Sequence, residues 1–146
     1  MAERIHSKGP FEQEEINAAG AGIYPGMLLT LGATGVVVHA TEGGRAEALI
    51  ACEDQLQGKT IATVYTISTL VTCLLPRKGC EVRVLIEDGQ NVAIGSELIS
   101  AGNGKFKVAT DIESGETLSQ VIFIATEACD LTGSNTDDTV CRARAV

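Results

Sequence analysis

Apolar residues in this chain come in short runs, and a turn closes each run before a helix could form on it. The longest, TLVTCLLP at residues 69–76, has the length of one buried strand. Pro25-Gly26 precedes MLLTL, and Gly35 precedes Val36-Val37-Val38, which reads as a hairpin. Pro76 and Gly79 break the chain before Val82, Val84 and Ile86, which alternate with Glu81, Arg83 and Leu85. In EDGQNVAIGSEL, residues 87–98, Asp88-Gly89 and Gly95-Ser96 bracket the anchors Val92, Ile94 and Leu98. Sixteen glycines in 146 residues supply these turns. With no Trp and 3% aromatic residues, the core must be built from Val, Ile, Leu and Ala. The pattern predicts an all-β fold, a compact small β-barrel or β-clip of many short strands.

The remaining segments fit the same scheme. Residues 46–51 read as a strand and EDQLQGK as a connection. Gly102-Asn103-Gly104, between SELIS and KFKVAT, predicts a hairpin of type I′ geometry. LSQVIFIATEA, residues 118–128, predicts a continuous central strand, DLTGSNTDDTV a solvated loop, and VCRARAV a closing strand. This domain spans residues 22–146. Residues 1–21 differ: they carry Glu12, Glu14 and Glu15, end in AAGAG, and offer only Ile5, Phe11 and Ile16 as apolar anchors. They predict an extended N-terminal arm that is mobile in isolation.

Composition excludes several functions. A formal net charge of −8 opposes a nucleic-acid partner and an anionic membrane surface. No run is long enough to span a bilayer, and the N-terminus has no apolar signal-peptide region. The five cysteines (52, 73, 80, 129 and 141) form no C-x-x-C pair and neighbour neither His6 nor His39, so they read as free, mostly buried thiols. Cys73 and Cys80 are the pair that a bend at 76–79 could bring together.

Catalytic signatures are lacking in the sequence. Asp54, Asp88, Asp111, Asp130, Asp137 and Asp138 all fall in predicted turns, where Asp bonds to its own backbone. His39 reads as a strand residue. No G-x-S-x-G elbow, Walker loop, dinucleotide fingerprint or EF-hand loop occurs. Residues 89–98 do match G-x-x-V-x-x-G-x-x-L, a pattern that recurs in lipoyl and biotinyl carrier domains. A carrier needs a lysine exposed at a hairpin tip, and Lys105 and Lys107 lie beside the predicted Gly102–Gly104 turn. A carrier or small-ligand barrel is therefore the alternative reading. The leading expectation is a protein without enzymatic activity, cofactor or metal.

Several segments, taken in order, resemble the head decoration (cement) proteins of tailed bacteriophages. AGAGIYPGMLLTL is similar to that family's arm followed by an I-x-P-G-x-L opening strand. Residues 53–110 resemble its central block, with a QGK connection, a P-x-x-G-x-E-V break and GQN-x-x-x-G-x-L. VIFIATEACD and VCRARAV resemble its closing strands, whereas the five cysteines lie outside the pattern. The resemblance implies a structural protein on the outer capsid surface of the virion, made in the host cytoplasm. Its partners would be the major capsid protein and itself, as a homotrimer. It also implies that the arm binds the capsid, through Ile5, Phe11, Glu14, Glu15 and Ile16.

Overall fold

A computed structural model describes residues 4–109 and 120–146. The strands, in chain order, are β1 (His6–Lys8), β2 (Phe11–Asn17), β3 (Leu29–Leu31), β4 (Val36–Val38) and β5 (Ile50–Ala51). A 3₁₀ turn (Gln55–Gln57) precedes β6 (Leu70–Pro76) and β7 (Glu81–Ile86). The last six are β8 (Asn91–Val92), β9 (Glu97–Ser100), β10 (Phe106–Val108), β11 (Phe123–Ala125), β12 (Cys129–Asp130) and β13 (Thr139–Ala145).

The fold is all-β, and five strands close into a barrel. β7 pairs along its whole length with β13, from Thr139↔Ile86 to Arg144↔Glu81. The circuit continues from β13 to β11, β9 and β10, and closes where Phe106 pairs in parallel with Ile86 of β7. Closure removes sheet edges that would otherwise template aggregation. The alternation read in β7 is realised: Val82, Val84 and Ile86 point inward with no exposed surface. Phe106 and Phe123 fill the barrel edge-to-face, ring centroids 5.4 Å apart.

A second core lies outside the barrel. The three-stranded sheet β2–β6–β5 and the β3–β4 hairpin enclose Ile23, Leu29, Val36, Leu49, Val71 and Cys73. The predicted hairpin is present, with Leu29↔Val38 and Leu31↔Val36 in register. β6 serves both cores, because Leu74 faces the barrel side while Val71 and Cys73 face the second cluster.

Three expectations are corrected. The segment read as a mobile arm over 1–21 is part of the folded body from Arg4 onward. β2 pairs residue for residue with β6, from Phe11↔Pro76 to Asn17↔Leu70, and β1 pairs with the start of β7. Ile5 and Ala18 are fully buried. These few apolar residues suffice because each fills a hole in a core built by distant strands. The Gly102–Gly104 connection is not a type I′ turn: Gly102 and Gly104 have φ of 88° and 79°, but Asn103 does not have positive φ. The 118–128 strand is regular only at Phe123–Ala125, where it is central between β9 and β13; beyond it the chain leaves to pair β12 with β8. Leu118, Ser119 and Asp111 lie outside the described residues, as do residues 1–3.

Candidate docking site

Of the aspartates read as turn residues, Asp54 and Asp130 make the local backbone bonds expected of them. Asp54 caps the 3₁₀ turn by accepting from the Gln57 amide, and Asp130 accepts from the amide and hydroxyl of Thr132. Those Thr132 bonds hold the Asp130 carboxyl below its ordinary range. Asp138 accepts from the Asp88 amide at 2.8 Å and pairs with Lys105 at 2.6 Å. Lys107 pairs with Glu42. Lys105 and Lys107 are thus tied to carboxylates beside the hairpin rather than held out at its tip, while Lys78 is exposed in the turn between β6 and β7.

One Ser–His contact exists. His39 Nδ1 lies 2.7 Å from Ser100 Oγ, a separation suited to a nucleophile and its base. Both side chains are buried, however, and both are saturated. His39 Nε2 bonds the Arg45 carbonyl at 3.0 Å, and Ser100 Oγ accepts from the Gly102 amide at 3.1 Å. The pair pins the loop after β4 to the barrel, and the backbone carbonyl on Nε2 occupies the second ring nitrogen.

The thiols are placed as small hydrophobes. Cys52, Cys73, Cys80 and Cys141 are buried, Cys129 is half-buried, and all five are free. Cys73 belongs to the second core and Cys80 to the barrel core, so the pair expected to approach is separated by the sheet. Burial pushes the Cys73 thiol up to about 12, helped by Glu14. Burial does the same to Cys141, also to about 12, with Cys129 and Glu127 adding to it. Cys52 is raised further still, by burial and then by Glu53. A protonated thiol is a poor metal ligand and a poor nucleophile. Among the described residues no group of three His, Cys, Asp or Glu side chains is arranged to hold a metal ion.

Two buried carboxylates hold the N-terminal segment down. Glu53 is 4% exposed and accepts from the Ile5 amide and the Cys52 thiol, both at 3.1 Å, and from Gln55 at 2.9 Å. Glu81, 3% exposed, accepts from the Ser7 hydroxyl at 3.1 Å and faces Lys8 and Arg142. Burial alone would raise the Glu81 carboxyl. The Ser7 hydroxyl, the nearby Thr126 side chain and the charges of Lys8 and Arg142 outweigh that and hold it below the ordinary range.

An open surface lies along the loop between β5 and β6. A cleft of about 580 Å³ is floored by Phe11, Gln13 and Glu15 of β2 and by Thr72 and Leu74 of β6. Arg4, His6 and Ser7 form one wall and residues 52–56 the other. A second cleft of about 420 Å³ runs on toward Val64, Tyr65 and Leu70, and Glu15 and Asp54 line both. The loop is anchored by Tyr65, whose hydroxyl donates to the Cys52 carbonyl at 2.5 Å. Its apolar side chains stand outward: Leu56 is 95% exposed, Leu70 56%, Ile67 52% and Val64 42%. A third cleft, of about 810 Å³, lies apart from it, lined by Tyr24, Met27, Leu85 and Val140 and bordered by the Lys105–Asp138 pair.

Of the five residues proposed to contact a capsid, only Glu14 and Glu15 are exposed. Ile5 is wholly buried, while Phe11 and Ile16 are half-buried against the two cores. The sequence reading missed Leu56, Val64, Ile67 and Leu70. Leu56 lay in the segment read as a connection, and Leu70, in the run read as a buried strand, is exposed at the start of β6.

No family model matches this chain, and no curated protein matches it.

Proposed function

We propose that this protein is a structural component of a tailed-phage head, a decoration protein that binds the outside of the capsid and reinforces contacts between major capsid proteins. The observation that supports the reading on the structural side is four exposed aliphatic side chains, Leu56, Val64, Ile67 and Leu70, on the loop and strand start that leave the β2–β6–β5 sheet beside the closed barrel. The sheet and the Tyr65 anchor hold these side chains in place, and exposed apolar side chains are stabilised when a partner covers them. The resemblance of the ordered sequence segments to the decoration family supports a major capsid protein as the partner. Attachment is by this loop face rather than by a free arm, since the N-terminal segment is already committed to its own sheet. A homotrimer multiplies a modest contact by effective concentration. The net charge of −8 keeps the protein off nucleic acid and supports solubility of the coated particle.

The test uses empty expanded heads assembled from a tailed-phage major capsid protein. Purified protein is titrated onto them and pelleted. Saturation at a fixed ratio to capsid subunits is expected, with loss of binding in Leu56→Asp/Ile67→Asp. Absence of saturable binding, or a biotinyl or lipoyl adduct on Lys105 or Lys107 after coexpression with the ligases, overturns the reading.

A further inference from the structure

The two clefts that meet at Glu15 and Asp54 form one furrow, from Arg4 and His6 at one end to Val64 and Leu70 at the other. We infer that this furrow binds an extended segment of a protein partner that presents a basic side chain flanked by aliphatic ones.

The floor is a sheet surface, so an extended guest can lie along it. Half-buried Phe11 offers apolar contact on one side of the junction, with Leu74 buried in the floor beneath. Exposed Leu56 lines that same first cleft, and Val64 and Leu70 in the second cleft offer apolar contact on the other side. At the junction the chemistry changes. Glu15 and Asp54 both face the opening, and neither forms an ion pair among the described residues. The nearest cations lining the furrow, Arg4 and Lys59, line different clefts, one each. Glu53 adds a third carboxylate beneath the first cleft, buried and held by three donors, so its position is fixed. A guest guanidinium or ammonium placed at the junction gains two carboxylates in a partly desolvated site, whereas a guest carboxylate meets like charge.

A second copy of this chain is the disfavoured occupant. Its β2 presents four consecutive exposed residues, Glu12, Gln13, Glu14 and Glu15, and the whole chain carries a charge of −8. Bringing two such surfaces together sets carboxylate against carboxylate.

This inference names the partner's chemistry at the docking face proposed above, and its test does not require heads. The probes are fluorescein-labelled peptides of about seven residues, roughly 23 Å when extended. They alternate Thr and Val around a central Arg, Glu or citrulline. Fluorescence polarisation is read with the full-length protein, the Glu15→Gln/Asp54→Asn variant, and Glu14→Gln as control. Glu14 sits on the opposite face of β2, beside Cys73. The Arg peptide is expected to bind about tenfold more tightly than the Glu or citrulline peptide, with the preference shrinking as salt rises. The double variant should lose that preference, while Glu14→Gln keeps it. Equal binding of all three peptides, no binding of any, or an unchanged preference in the double variant overturns the inference. If the double variant saturates heads normally while Leu56→Asp/Ile67→Asp does not, the furrow is excluded and the decoration reading stands.

Discussion

Replacing Ile5 with Ala should destabilise the whole protein, although the residue stands almost at the chain's start. Its side chain has no exposed surface and packs in the barrel core with Cys80, Val82 and Val84. Truncation removes three buried carbons, worth roughly 0.8 kcal/mol each in transfer alone, and the unfilled cavity brings the loss to about 3 kcal/mol. For a domain of this length that lowers the thermal midpoint by about 10 °C. Deleting residues 2–9 costs more. It removes Ile5 itself, the Arg83 amide's acceptor at 2.7 Å, the Ile5 donor to Glu53 and the Ser7 donor to Glu81. Each buried carboxylate left short of a donor costs about 1–3 kcal/mol, so the total approaches about 5–9 kcal/mol. That is comparable with the entire net stability of an ordinary domain. With no Trp in the chain, unfolding is followed by far-ultraviolet circular dichroism against temperature and urea. If Ile5→Ala and the truncated protein both melt within about 2 °C of the full chain, the segment is a free arm and this account of it is wrong.

Three further outcomes are expected. Gly35→Ala should be among the most destabilising single changes: at φ 151° a Cβ would stand 2.0 Å from the Asn17 carbonyl oxygen, so β2 must shift or the hairpin open, costing more than about 3 kcal/mol in a urea titration. With Ellman's reagent at neutral pH, the half-buried Cys129 should react first and the four buried thiols only on unfolding; prompt reaction of Cys52 or Cys73 in the native protein would contradict their burial. Glu81 should contribute to acid sensitivity. Its folded pKa lies below the ordinary 4.5, so its contribution is present above that value and lost as pH falls through the lower folded value. Glu81→Gln should therefore flatten the acid limb of the stability profile, and an unchanged limb would remove Glu81 from the account.

The sequence is legible where pairing is local or alternation is strict. The β3–β4 hairpin follows from Gly35 and three valines, and Val82, Val84 and Ile86 alternate into the core as their spacing predicts. β13 closes the barrel because Cys141, Ala143 and Ala145 point inward while Arg142 and Arg144 do not. The N-terminal strands were illegible for a physical reason. β2 is an edge strand with four exposed residues in a row, so its pattern lacks alternation, and its partner β6 lies more than fifty residues away. The furrow shares that difficulty. Glu15, Asp54 and Leu70 become neighbours only through the β2–β6 pairing and the loop folded over it, and no local motif announces them. The His39–Ser100 contact likewise spans 61 residues.

The central claim is that the 55–70 loop face docks this protein on the outside of a phage head. A cryo-electron microscopy reconstruction of heads saturated with the full-length protein tests it most directly. The account predicts ordered density on the outer surface, as trimers, with Leu56, Val64, Ile67 and Leu70 turned toward capsid subunits and β2 still paired with β6. Heads that carry no added density, or density in which that loop faces solvent and residues 4–17 have left their sheet to lie on the capsid, would contradict it.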